Sequence, residues 1–269
     1  IFSGNTLVSA SSYFTYPGVF HVQFLNNDFD NYYESFHLSG TDNVISGNTF
    51  KGATYIGTYN AFGDRNYVSN NTFNLLGSEY VELGGSNNYF ADNVVEPIFI
   101  LSNDIGPVVN NSIVRNKFFG DVGVSISEAN YTNLSNNTIY SAYNGVGIGY
   151  SSYATICDNF IYAASEVIYF DQLTNSEICR NHIESGSTGI SMYGANNISL
   201  FDNYIVNNTI GVTLGGGRNN LFYNNLFNNS QNILGPDFPS YNNNWNITTT
   251  LGTNIVGGPY LGGNYWSDY

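Results

Sequence analysis

One asparagine returns at a near-constant interval through most of this chain: Asn5, Asn27, Asn48, Asn71, Asn93, Asn116, Asn137, Asn159, Asn181, Asn203 and Asn225, at steps of 21 to 23 residues. A tandem unit of that length cannot bury its own apolar face and must stack on copies of itself, which constrains the chain to a solenoid. The flanking positions say which solenoid. Three residues before each asparagine stands an apolar side chain, from Phe2 and Phe24 to Phe222, and two residues after it stands another, from Leu7 and Phe29 to Phe227. Each asparagine therefore marks a bend between two short strands that send apolar residues inward. Its amide tolerates left-handed backbone at the bend and can bond its copy one coil away, which builds an internal ladder.

Half a coil later a second set of inward pairs recurs 22 residues apart: Val124/Ile126, Val146/Ile148, Ile168/Phe170, Ile190/Met192 and Val212/Leu214. Their alternation with outward residues is the period of a β-strand. No apolar stripe of helical spacing competes with it, and the leucines do not fill the fixed frame of a leucine-rich repeat. The expected fold is all-β, a right-handed parallel β-helix of about 11–12 coils of 22 residues over 1–247, the twelfth lying around Trp245–Ile247. Residues 248–269 form a glycine- and aromatic-rich closing segment, with Gly252–Tyr269 expected to fold over the last coil as an aromatic plug. Ile1 enters in mid-coil, so Phe2 and Leu7 are expected to be covered by further polypeptide or by another subunit, which would make the chain a self-associating block of a filament or surface array.

The frame N-N-x-Φ-x-x-N-x-Φ, carried with small variations by Asn175–Ile183, Asn197–Ile205 and Asn219–Phe227, resembles the PbH1 repeat of NosD-type and carbohydrate-binding/sugar-hydrolase (CASH) β-helices. The tail from Gly252 is similar to a closing segment of secreted archaeal members of that group. The resemblance implies an extracellular or cell-surface glycoprotein with glycan contact. It does not imply one activity, because this architecture carries lyases, hydrolases, epimerases, adhesins and inert scaffolds alike. The Asp-Asp and Gly-His-Gly segments of pectin hydrolases and the Asp-Pro-His-Asp segment of alginate epimerases are absent, and Thr41-Asp42-Asn43 is the nearest approach to Asn-Thr-Asp.

Twenty Asp and Glu stand against six Lys and Arg, a net charge of −14. Nucleic acid and anionic lipid both need clustered cations, so neither is expected as a partner, and no apolar run reaches membrane-spanning length. The position before the ladder asparagine places Arg115 over Asp92 and Arg180 between Asp158 and Asp202, a register-fixing ion-pair column; Lys51, Arg65 and Lys117 lie scattered. Cys157 and Cys179 share the position two before the ladder asparagine on adjacent coils. They should point outward at a Cα separation of about 4.8 Å, within disulfide reach. A bridge, two stacked free thiols, and a metal set completed by His182 stay open as readings, with no metal and no cofactor expected.

Two outward patches could hold a polysaccharide or other glycan. In one, Tyr169, Asp171 and Tyr193 rise among Gly145, Gly147, Gly149, Gly189, Ser191, Gly211, Thr213 and Gly215. In the other, Phe160, His182 and Tyr204 share a column beside Tyr140, Tyr162 and Glu184. Aromatic rings stack on sugar faces while carboxylates pair with hydroxyls, although outward aromatics also shield strand edges with no ligand at all. Nine N-glycosylation sequons occur, at Asn70, Asn110, Asn130, Asn133, Asn136, Asn197, Asn207, Asn228 and Asn246. The functional expectation is a non-catalytic extracellular structural or adhesive module. The rivals are a polysaccharide hydrolase or lyase using Asp171 and Glu166, and a viral or secreted receptor-binding fibre.

Overall fold

The computed structural model describes residues 1–8, 12–30, 36–56, 63–74, 80–102, 108–235 and 242–267, with backbone alone for 12–19. The chain is an all-β, right-handed parallel β-helix, and it divides into two compact units, Ile1–Thr138 and Ile139–Tyr269.

In the first unit three parallel sheets form the walls. The first is built from strands such as Gln23–Leu25, Val44–Ser46 and Tyr67–Ser69, the second from Asp28–Asp30, Thr49–Phe50 and Thr72–Phe73, and the third from Phe36–Thr41, Thr54–Ile56 and Tyr80–Leu83. Pairing in register puts like residues over like: Phe29, Phe50 and Phe73 lie on one another at 4.9 and 5.0 Å with nearly parallel rings, all buried. The ladder binds the coils polarly as well. Asn93 donates both its backbone N–H (2.9 Å) and its Nδ2–H (3.0 Å) to Asn116 Oδ1, and its Nδ2 reaches the Val68 carbonyl at 3.0 Å. Buried amides cost little when every donor is met in this way.

The bend differs from the sequence expectation in one respect. The left-handed residue is not the ladder asparagine but the one before it, with φ of 54° at Asn70, 56° at Asp92 and 57° at Arg115. The ladder asparagine must turn its side chain inward and its N–H along the stack, so the reversal falls on its outward neighbour. A second ladder, five residues earlier, runs through Asn43, Asn66, Asn88 and Asn111, each backbone N–H donating to the next amide oxygen at 2.8–3.0 Å. Two of the three cations read as scattered are also placed by the coil: Arg65 grips Asp42 at 2.7 Å, and Lys51 lies 3.3 Å from Asp30. The expected Arg115–Asp92 pair closes at 2.8 Å.

The second unit repeats the plan with strands such as Thr155–Cys157 and Glu177–Cys179 on the first face, Phe160–Ala163, His182–Glu184 and Tyr204–Val206 on the second, and Asn144–Gly149, Glu166–Asp171, Thr188–Tyr193 and Ile210–Gly215 on the third. Its core columns are Ile161, Ile183, Ile205 and Phe227, facing Ile168, Ile190 and Val212. Arg180 bonds Asp158 at 2.7 Å rather than bridging two aspartates, and Asp202 instead accepts from the Asn224 amide.

The last coil is assembled from two separate stretches. Trp245 stacks on Phe222 at 4.1 Å and Trp266 on Phe227 at 4.5 Å, so tryptophans take both inward columns. The rung above Asn225 is Asn264, whose Oδ1 accepts the Asn225 N–H and Nδ2–H at 3.0 and 2.9 Å. Between the two stretches Thr250–Leu251 pairs antiparallel with Tyr260–Leu261. Of the segment expected to plug the end, Asp268 and Tyr269 lie outside the described residues.

Candidate functional site

The third face of the second unit carries the first expected patch, and register decides its shape. Gly147 pairs with Tyr169, which pairs with Ser191; Gly149 pairs with Asp171, which pairs with Tyr193. A Cβ placed on Gly147 or Gly149 would meet nothing within 4 Å, so these glycines form an open floor directly beside the tyrosine and the carboxylate. The other glycines of the patch have a different job. Gly145, Gly189 and Gly211 are buried, where a Cβ would lie 2.5–2.7 Å from a backbone oxygen of the next coil, and a Cβ on Gly215 would lie 2.4 Å from the Tyr193 ring. They permit close packing rather than a track.

Tyr169 and Tyr193 lie 5.7 Å apart at 43°. Burial, then the charges of Asp171 and Glu166, push the Tyr169 phenol above its usual range, so it stays a neutral donor. Glu166 lies five residues before Asp171, a spacing that puts the two on opposite strand faces in a regular strand. The strand start departs from that alternation, with Val167 and Ile168 both buried, and Glu166 accepts a 2.6 Å hydrogen bond from the buried Ser191 hydroxyl on the outer side. The Asp171 carbonyl accepts the Tyr150 N–H at 2.8 Å, while its carboxylate takes no hydrogen bond or salt bridge among the described residues.

Sequence reasoning missed Tyr143 and Tyr150, which bracket the strand Asn144–Gly149 and are 65% and 57% exposed. The signal for Tyr150 is conformational: it holds φ of 49° at a corner that the next coils give to Gln172 and Gly194. Left-handed backbone is costly for a bulky residue.

The second expected patch is a stacked column. Phe160 and His182 lie 5.1 Å apart at 17°, and His182 and Tyr204 6.2 Å apart at 19°. Tyr140 stands 5.6 Å from Phe160 and 6.0 Å from Tyr162, and Glu184 Oε2 lies 3.1 Å from His182 Nε2. These rings spend their faces on one another, leaving edges outward. Tyr204 also donates to the Ile255 carbonyl at 3.4 Å, at the margin of a cleft of about 180 Å³ lined by Asn224, Asn254, Tyr260 and Tyr265.

Cys157 and Cys179 are joined by a disulfide with Cα atoms 4.6 Å apart. They follow the inward Ile156 and Ile178 and are nonetheless buried, at 3% and 2%, because small side chains in an in-register column are covered by the coils on either side. Of the sequons, Asn70, Asn110, Asn136, Asn197, Asn207, Asn228 and Asn246 are exposed, while Asn130 and Asn133 are half-buried; the amides of Asn110 and Asn197 donate to Asn87 and Asn175 at 2.8 and 2.6 Å.

Among solved structures, the A-module of the mannuronan C-5 epimerase AlgE4 from Azotobacter vinelandii aligns over 89% of this chain and 83% of its own, at 12% identity and a TM-score of 0.63. Tailspike protein 3 of bacteriophage CBA120 aligns over 82% of this chain at 12% identity and 0.55, and the chain spans 42% of that tailspike's length. A mutant of the periplasmic alginate epimerase AlgG aligns over 80% of this chain and 61% of its own, at 12% identity and 0.52. At such identities the likeness is one of fold. No curated protein matches the chain in sequence. The family described as periplasmic copper-binding protein (NosD) matches residues 93–269, well over half of the chain.

The donor chemistry does not fit copper. Among the described residues no three His, Cys, Asp or Glu side chains gather, both cysteines are spent on each other, and the single methionine, Met192, is buried in the core. Copper sites are built from grouped imidazole, thiolate or thioether ligands. The matched sequence and the coil geometry together place this chain in the NosD family of parallel β-helices.

Proposed function

We propose that this chain is a non-catalytic, extracellular carbohydrate-binding β-helix, a surface or adhesive module whose glycan lies on the third face of the second unit. The observation that carries the reading is the open floor of Gly147 and Gly149 set against Tyr169 and Asp171. A sugar ring resting on bare backbone can press a face to a tyrosine and offer hydroxyls to a carboxylate, a common division of labour in saccharide sites. Proteins named for alginate epimerisation share the architecture, which makes a polysaccharide partner congruent with the fold. Residues 248–267 serve as the closing segment, sheltering the core end with Trp245 and Trp266.

Titration calorimetry against a panel of oligosaccharides tests this, with Tyr169→Ala expected to lower affinity at least about tenfold, the loss of one stacked ring. Absence of binding to every oligosaccharide would overturn it. A hydrolase or lyase is the second reading, favoured by the Ser191 hydrogen bond that holds Glu166 on the side of Tyr169. Turnover of any of the same glycans, abolished by Glu166→Gln, would replace the binding module with the enzyme.

A further inference from the structure

We infer that the glycan held on this floor is cationic, a polymer or oligomer of amino sugars carrying free ammonium groups; the inference rests on the binding site proposed above. Charge gives the first argument. The carboxylate of Asp171 has no hydrogen bond or salt bridge among the described residues, whereas those of the Asp partners of Arg65, Arg115 and Arg180 are all engaged. Glu166 adds a second carboxylate, and both act on the Tyr169 phenol. No Lys or Arg occurs between Lys117 and Arg180, so the stretch that supplies the floor, Tyr169 and both carboxylates brings negative charge alone. A neutral sugar satisfies such a site only through hydroxyls, and a uronate is repelled by it; an ammonium group is the complement.

The aromatic residues give the second argument. Tyr150 stands at the end of the floor strand, 57% exposed, its backbone N–H bonded to the Asp171 carbonyl at 2.8 Å. Tyr150, Tyr169 and Tyr193 thus stand around one carboxylate beside open backbone, an arrangement that attracts cations through ring faces as well as through charge. Tyr150 holds that place in left-handed backbone at φ 49°, at a corner the neighbouring coils fill with Gln172 and Gly194.

The test is calorimetry with three tetrasaccharide probes on the intact chain: β-1,4-linked glucosamine, its fully N-acetylated counterpart, and oligomannuronate. The glucosamine tetramer is expected to bind at least about tenfold more tightly than the acetylated one, with the uronate weakest, and added salt should shrink the difference. Asp171→Asn and Tyr150→Ala should each erase most of that preference. Lys51→Ala, which lies in the first unit, should leave it unchanged. Equal affinity for the free and acetylated tetramers, or a preference that survives Asp171→Asn, overturns the cationic assignment while the glycan site stands. Failure of all three probes and of the wider oligosaccharide panel overturns the glycan site and this inference together.

Discussion

At the residue scale, the buried asparagines are the costliest side chains to lose. Asn116 supplies the acceptor for both Asn93 donors and itself donates to Phe90, Val114 and Asn137. Asn116→Ala strands the Asn93 donors in the core, so unfolding in denaturant should show a loss of about 2–4 kcal/mol. Tyr150→Gly is expected to do the opposite, adding about 1 kcal/mol by removing a side chain from left-handed backbone while weakening glycan binding. His37 gives a pH signature. Burial lowers its pKa below 6.5, so the unfolded state binds the proton first. The stability that His37 confers is whole above its unfolded pKa and falls as pH drops through 6.5 toward the folded value. Denaturation midpoints of His37→Gln measured across that window should show a shallower slope than the parent. The ladder column was legible in the sequence because asparagine recurs there without exception. Its left-handed partner was not, since Asn70, Asp92 and Arg115 share no chemistry except tolerance of an exposed corner.

At the scale of strands and corners, two glycines two residues apart separate packing from function. A Cβ on Gly145 would lie 2.5 Å from the Val167 carbonyl and 2.6 Å from Ile161, whereas one on Gly147 meets open space. Gly145→Ala should therefore destabilise by about 1–3 kcal/mol, and Gly147→Leu should leave the melting curve almost unmoved while blocking the glycan floor. The Cys157–Cys179 link closes a loop of 22 residues, so thiol titration of the native chain should find no free cysteine. The double change to alanine should lower stability by about 3 kcal/mol. Inward pairs such as Ile168/Phe170 were readable from alternation alone. The outward turn of Glu166 was not, because it depends on a local break in that alternation which the neighbouring coil's Ser191 rewards.

For the whole molecule, the period named the fold but hid how it finishes. Twenty-two residues after Asn225 stands Ile247, which cannot serve as a rung, and the chain goes on to Asn264. Asn264→Ala should unseat both tryptophans from Phe222 and Phe227, seen as a red shift of tryptophan emission and a lowered melting temperature. The ends of the intervening stretch are tied together, the Ile247 N–H to the Gly262 carbonyl at 2.9 Å, and the Gly263 carbonyl is held to the preceding coil by the Asn224 N–H at 2.8 Å. A coil is thus a rule of spatial grammar rather than an unbroken phrase, complete once a rung and its two inward residues meet. The seam between Ile247 and Asn264 is a parenthesis in that grammar, an excursion whose length the solenoid does not count before it resumes its place.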